Sequence, residues 1–245
     1  MTCFANRTAL ITGAASGIGL AVAGHLAAAG AAKLILVDRT PATYDFACET
    51  IVATGDIRDE AFWDSIDLAG LDHAVINAGI SGGTLIANTS LEEWRRILSV
   101  NLDGAFLTLR AAMRALHERG GSIVLTASAA AVKAEQGVAA YGASKAALVH
   151  LAKVAAKEGA AHNIRVNAIA PAGVETPIWD DVPMFADRAA EIGRDAAFAE
   201  LAKLATPLGR YAKAEEIAVQ IGFLLSDAGA LITGQTLVSD GGYSL

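Results

Sequence analysis

Seven short apolar runs recur along the 245 residues of this chain, and helical patterns separate most of them. The runs are Thr8–Thr12, Leu34–Asp38, Ile51–Thr54, Ala74–Asn77, Ser122–Thr126, Arg165–Ala170 and Gln235–Ser239. Each is about five residues long and apolar nearly throughout, the pattern of strands buried on both faces of a sheet. Between them, Gly17–Gly30, Asp59–Ile66, Leu91–Arg119, Ala140–Glu158 and Glu215–Leu225 read as helices. Such alternation predicts βαβ units and an α/β fold, a doubly wound parallel sheet with helices on both faces. No linker, composition break or internal repeat divides the chain, so residues 1–245 form one domain.

Two places interrupt the rhythm. Only twelve residues separate Asp38 from Ile51, with Pro41 among them, too few for a full crossover helix. An irregular connection is expected there. Between Pro171 and Glu215 lies a long insertion with a helical pattern around Ala186–Ala205. Ligands of open α/β sheets sit beyond the carboxyl ends of the strands, so an insertion at that edge, over 175–212, is a candidate substrate lid.

The first strand runs directly into Thr12-Gly13-Ala14-Ala15-Ser16-Gly17-Ile18-Gly19 and an alanine-rich helix. Glycines at a strand–helix turn permit a tight bend and close backbone approach to a ligand, and the helix N-terminus offers free N–H groups and a positive dipole to a pyrophosphate. The placement favours a Rossmann-type dinucleotide site over a mere tight connection, although the spacing is GxxxGxG rather than GxGxxG. Asp38 ends the second strand about twenty residues beyond the loop, where an acidic residue holds the ribose hydroxyls of NAD. Asp56, with Ile57, follows the third strand and could reach the adenine edge or cap the helix that starts near Asp59. Asn77-Ala78-Gly79 ends the fourth strand with small residues suited to a backbone lying against a cofactor, or to a plain turn.

Composition narrows the alternatives. Hydrophobic residues make up 53% and mean hydropathy is +0.42, yet the most apolar stretch is interrupted by Gly24, His25, Gly30 and Lys33. No run of roughly 20 apolar residues could span a membrane. A formal charge of −7, with 19 scattered Lys and Arg, argues against a nucleic-acid partner. Two cysteines are too few for a disulfide framework, and the N-terminal MTCFANRTALITG lacks the pattern of an export leader, so a cytoplasmic location is expected. The five histidines lack metal-ligand spacing and no metal site is expected.

Four polar residues in the second half form a pattern that structure alone does not demand. Asn101 and Gly104 mark a weak point inside a helix that opens with a Ser90–Glu93 capping box. Ser128 follows the fifth strand at its carboxyl end. Tyr141 and Lys145 are four residues apart and share a helix face. A tyrosine with a pKa near 10 is a poor base at neutral pH. An ammonium about 4 Å away contributes on the order of 4 kcal/mol at an effective dielectric near 20, enough to bring a phenol toward neutrality. A phenol tuned in this way is the acid/base that alcohol oxidation needs.

In order and spacing, these motifs resemble the short-chain dehydrogenase/reductase family. The glycine loop, Asn77-Ala78-Gly79, Asn101, Ser128, Tyr141-x-x-x-Lys145, Asn167, Pro171-Ala172-Gly173-Val174-Glu175-Thr176-Pro177 and Asp240-Gly241-Gly242 all take their places. Ala172 stands where the family usually has glycine. The resemblance implies a tetrad: Tyr141 exchanges the proton, Lys145 lowers its pKa and holds the nicotinamide ribose, Ser128 binds the substrate oxygen, and Asn101 holds a relay water. It also implies that Pro171, Gly173, Val174 and Thr176 lie along the nicotinamide, with Val174 and Thr176 at its carboxamide.

The expected activity is NAD-dependent interconversion of a secondary alcohol, such as a polyol, sugar, cyclic alcohol or hydroxy acid, and its ketone. The alternatives are an NADPH-linked carbonyl or 3-oxoacyl reductase, which Asp38 disfavours, and a non-catalytic dinucleotide-binding redox sensor, which would have no need of the tetrad. An enoyl reductase would space Tyr and Lys more widely. In the lid, Glu175, Trp179, Asp180, Asp181, Met184 and Phe185 are the substrate-facing candidates, with Trp179 foremost. Small and apolar residues around much of Leu91–Arg119 and Ala140–Glu158 suggest burial on more than one side, and the resemblance implies a dimer or tetramer.

Overall fold

A computed structural model describes residues 3–245, apart from the side chain of Asp181. The strands are β1 (Thr8–Thr12), β2 (Lys33–Asp38), β3 (Glu49–Thr54), β4 (His73–Ile76), β5 (Gly121–Thr126), β6 (Ile164–Pro171) and β7 (Thr236–Ser239). They form one sheet in the order β3-β2-β1-β4-β5-β6-β7, with every pairing parallel. Strand order reverses between β1 and β4. A crevice opens at such a switch, beyond the carboxyl ends of the strands.

The helices are α1 (Gly17–Ala28), α2 (Glu60–Ser65), α3 (Leu91–Leu98), α4 (Ala105–Leu116), α5 (Ala139–Gly159), α6 (Pro183–Ile192), α7 (Arg194–Ala205) and α8 (Ala214–Leu225). Two buried layers flank the sheet. Leu10, Ile35, Ile123 and Val166 face α4 and α5, whereas Ile11, Leu34, Leu36 and Val124 face α1 and α8. The alternate residues of each central strand thus serve opposite cores, which is why those strands are apolar throughout. The expectation fails at the sheet edges: Ile51 and Val52 on β3, and Leu237 and Val238 on β7, are exposed, because each edge strand lacks one neighbour.

The run Leu91–Arg119 is not one helix. Ser90 caps α3 through the Glu93 N–H (3.1 Å), but the Glu93 carboxylate turns to Arg96, so only half of the expected capping box forms. A π-helical turn, Ser99–Gly104, separates α3 from α4 and contains Asn101. The weak point anticipated there is a real break in helical register, and such bulges cluster at functional sites. The 39–48 connection is irregular, with Tyr44 stacked on Phe46 against the α1 side.

The insertion expected as a lid holds two helices rather than one. Gly193, at φ +87°, breaks the pattern between α6 and α7, and Pro183 begins α6. Phe185, Phe198 and Tyr211 form a small core of its own, with Trp179 and Val182 at its margin.

Candidate active site

The turn after β1 is held by backbone packing. Gly13 has φ +69°, and a Cβ there would lie 2.9 Å from the Ala78 Cα. At Gly19 a Cβ would come within 2.1 Å of the Gly13 carbonyl oxygen, so α1 starts directly against the turn. Thr12 Oγ1 accepts from the Asn77 N–H (3.0 Å) and the Ala78 N–H (3.2 Å), and Asn77 Nδ2 donates to the Thr12 carbonyl (3.1 Å). These contacts clamp the loop after β4 to the loop after β1.

Ser16 caps α1 without a side-chain hydrogen bond, and the N–H groups of Gly17, Ile18 and Gly19 find no acceptor among the described residues. Free N–H groups at a helix N-terminus fit a pyrophosphate. The Asp38 carboxylate accepts from the Ala15 N–H (3.0 Å) and the Thr40 N–H (2.9 Å), which fixes it at the end of β2. A carboxylate has about four acceptor positions, so two remain for ribose hydroxyls. This part of the chain therefore fits a nicotinamide dinucleotide.

All of this opens on one cleft of about 590 Å³. Its lining includes Gly13, Ser16, Gly17, Ile18, Asp38, Asp56, Ile57, Asn77, Ala78, Gly79, Ser128, Tyr141, Lys145, Pro171, Gly173, Val174 and Thr176, so most of the expected residues meet there. Three do not. Thr12 is fully buried under the loop, Gly19 packs against Gly13, and Asn101 lies behind the wall. Asp56 is paired with Arg58, and Asp59, not Asp56, caps α2.

Asn101 is wholly buried. Its Oδ1 accepts from the Ile80 N–H (2.8 Å), while Nδ2 donates to the Ile80 carbonyl (3.0 Å) and to Ser144 Oγ (3.1 Å). It therefore ties the loop after β4 to α5. Ser128 Oγ accepts from the Ala130 N–H (3.2 Å), capping a short 3₁₀ turn, and lies close enough to Tyr141 to favour its phenolate.

Lys145 Nζ donates to the Thr126 carbonyl (2.9 Å) and lies 5.7 Å from the Tyr141 ring centroid. Burial of its ammonium lowers the pKa to about 8. The expected lowering of the Tyr141 pKa does not hold: desolvation pushes the phenol up, and Ser128 offsets this only in part. Burial disfavours the phenolate, so the Tyr141 phenol keeps its proton at neutral pH.

The lid expectation needs a larger correction. Among the six lid candidates, only Trp179 lines the cleft; the side chain of Asp181 lies outside the described residues. Phe185 is inside the lid core, Met184 is exposed, Glu175 pairs with Lys213, and Asp180 pairs with Arg194. The Trp179 indole N–H donates to the Val174 carbonyl (3.0 Å), and the ring stacks on Tyr211 at 5.5 Å. The sequence reading missed Glu135, Tyr211 and Tyr243, which line the same cleft. No spacing marks them, because they come from a loop, the lid's return and the C-terminal segment.

Residues 13–244 match the family described as enoyl-(acyl carrier protein) reductase. Cis-4-hydroxycyclohexanecarboxylate dehydrogenase of Sinomonas cyclohexanicum is 36% identical over 256 residues, covering 98% of each chain. 2,3-Dihydro-2,3-dihydroxybenzoate dehydrogenase of Escherichia coli (strain K12) is 37% identical over 251 residues, covering 99% of this chain and 98% of the relative. The crystal structure of 3-ketoacyl-(acyl-carrier-protein) reductase from Brucella melitensis complexed with NADH superposes with a TM-score of 0.87 at 30% identity, over 99% of this chain and 100% of that one. Sheet order, cleft position and these full-length similarities agree: the chain belongs to the short-chain dehydrogenase/reductase family of oxidoreductases.

Proposed function

We propose that this protein interconverts a secondary alcohol and its ketone, with NAD as the hydride partner. One observation carries the reading: Tyr141, Ser128 and Lys145 face the same cleft as the unpartnered N–H groups at the start of α1. The dinucleotide, when bound, supplies the hydride acceptor or donor. Ser16, Gly17 and Ile18 would hold its pyrophosphate, Asp38 its adenosine ribose, and Asp56 with Ile57 the adenine edge. Asn77, Ala78 and Gly79 offer a flat wall, and Pro171, Gly173, Val174 and Thr176 would border the nicotinamide.

Tyr141 would pass its proton to a ketone oxygen, or take one from an alcohol, while Ser128 orients that oxygen. Lys145 also reaches toward the cofactor side, because its Nζ approaches Gly79 so closely that a Cβ there would lie 3.3 Å away. With positive charge near the phenol, the phenolate becomes accessible for oxidation. Asn101 acts on the chemistry through position, by fixing Ile80 and Ser144. Asp38 supports NAD over NADP, since a 2′-phosphate would add like charge beside it. Exposed apolar side chains on α4 and α5, Phe106 and Val154 among them, support assembly into a homo-oligomer.

The test is a spectrophotometric screen of unphosphorylated secondary alcohols with NAD and NADP, paired with a cofactor-fluorescence titration. Reduction of NAD with ketone formation is the expected result. Binding of the dinucleotide without turnover of any alcohol or ketone would instead favour a sensor.

A further inference from the structure

The charged side chains around the cleft are unevenly placed. Asp38, Arg39, Asp56 and Arg58 follow β2 and β3, and Lys145 lies at the centre beside Gly79. Among the described residues, the one other charged side chain lining the cleft is Glu135, between β5 and α5 on the side of Ser128 and Tyr141. Opposite the dinucleotide loops, then, the cleft carries a carboxylate and no facing cation.

That carboxylate is held from behind. The Tyr243 phenol, in the C-terminal segment, lies beside Glu135, whose carboxylate helps to push its pKa up. Lys133 Nζ is 3.4 Å from the Glu135 carboxylate, donates to the Tyr243 carbonyl (2.8 Å), and sits 3.9 Å from the Tyr243 ring centroid. Lys133 itself does not line the cleft. Glu135 thus joins two segments that are distant in sequence, and its side chain remains 41% exposed. Acceptor positions are left over, because a carboxylate offers about four. Trp179 and Tyr211, stacked at 24°, give the same region flat apolar walls.

We infer that Glu135 is a specificity-determining residue that accepts a hydrogen bond from a second hydroxyl group of the substrate, so that the preferred alcohol is an uncharged cyclic diol. The inference rests on the proposed alcohol oxidoreductase reading and names its substrate class. A hydroxy acid or an acidic acyl carrier would bring negative charge toward Glu135, where the lining holds no cation other than the central Lys145. An ammonium would meet the charge of Lys133, which already neutralises part of the carboxylate. A neutral hydroxyl donor meets neither obstacle, and unpaired polar groups in a site built for a hydroxyl discriminate strongly against analogues that lack one.

The experiment measures kcat/KM with NAD for cyclohexanol, the isomeric cyclohexanediols, hydroxycyclohexanecarboxylate and aminocyclohexanol, in wild type, Glu135→Gln and Tyr243→Phe. The best diol should exceed cyclohexanol by about tenfold or more in wild type. Glu135→Gln, which keeps an acceptor oxygen but loses the charge that strengthens the bond, should lower that ratio by about threefold and raise the hydroxy acid relative to cyclohexanol, a change of opposite sign. Tyr243→Phe should move the diol ratio the same way by less, and it decides the matter if Glu135→Gln fails to fold. An unchanged ratio in both variants, or a wild-type preference for the hydroxy acid or the amine, would overturn the inference. Turnover of other alcohols but no ring diol would overturn it while leaving the oxidoreductase reading intact. Turnover of no alcohol or ketone at all would defeat that reading as well.

Discussion

The two halves of the cleft are built differently. The dinucleotide half is a backbone device: Gly13 and Gly19 pack main chain on main chain, and Thr12 and Asn77 lock two loops with buried hydrogen bonds. The half proposed to take the alcohol is assembled from side chains on a loop, the α6–α7 insertion and the C-terminal segment, and that insertion keeps a small core apart from the main ones. Backbone recognition demands fixed residues at fixed spacing. Side-chain recognition can draw on any segment that reaches the cleft, and so can vary without disturbing the fold.

The comparison breaks if damage to the lid spreads to the dinucleotide. Phe198 is 2% exposed and sits among Trp179, Phe185 and Tyr211. Truncating such a buried ring costs about 3–5 kcal/mol at a fully packed site. Phe198→Ala should raise KM for the alcohol more than about tenfold, by loosening the Trp179 wall, while the NAD Kd shifts by less than about threefold. Steady-state kinetics with a cofactor-fluorescence titration checks both; equal losses would make the lid and the dinucleotide site one unit.

A second test lies under the dinucleotide half, at the start of β4. His73 is buried edge-on to Phe4, and its Nδ1 is 2.8 Å from Ser122 Oγ, which in turn donates to the Leu225 carbonyl. Ser122 therefore receives its hydrogen bond from a neutral imidazole. Burial lowers the His73 pKa from 6.5 to about 4. Between those values the unfolded chain binds more protons than the folded one, so stability falls as the pH falls through this window, by about 3 kcal/mol in all. Denaturant melts from pH 7 to pH 4 should show that slope. His73→Phe should flatten it, and an unaltered slope would assign the acid lability elsewhere.

The smallest effect sharpens the dinucleotide half itself. Wild-type kcat/KM should favour NAD over NADP by at least about tenfold, roughly 1.4 kcal/mol. Asp38→Ala should narrow or reverse the preference, because it removes repulsion beside Arg39. It should also loosen the glycine turn, since Asp38 holds the Ala15 N–H. Equal use of both cofactors by wild type would contradict the role given to Asp38.

The same contrast explains what could be read from the sequence. The sheet, its crossovers and the cleft wall from Gly13 to Thr176 were legible because strands buried on both faces must be apolar and a helix abutting a turn must begin with glycine. The π turn at Asn101 was visible only as a weakness, since helix propensity marks where a helix strains and not how it resolves. Met184 and Phe185 misled: an aromatic in a candidate lid serves its own core as readily as a ligand. Glu135 and Tyr243 carried no signal, because 108 residues of chain separate two groups that only the fold brings together. The Tyr141 pKa lies beyond the sequence for a related reason. Spacing places Lys145 on the same helix face, but burial of the phenol is set by tertiary packing.

The central claim is that Tyr141 moves the proton while the rest of the cleft binds and orients. Tyr141→Phe keeps the ring and removes the hydroxyl, so its turnover of the preferred alcohol, followed by nicotinamide absorbance at saturating NAD, is the direct measurement. The account predicts a fall of about 10²–10⁴ in kcat, the range for a lost acid/base group, with an NAD Kd within about threefold of wild type. Turnover near the wild-type rate would contradict it and would mean that another group carries the proton.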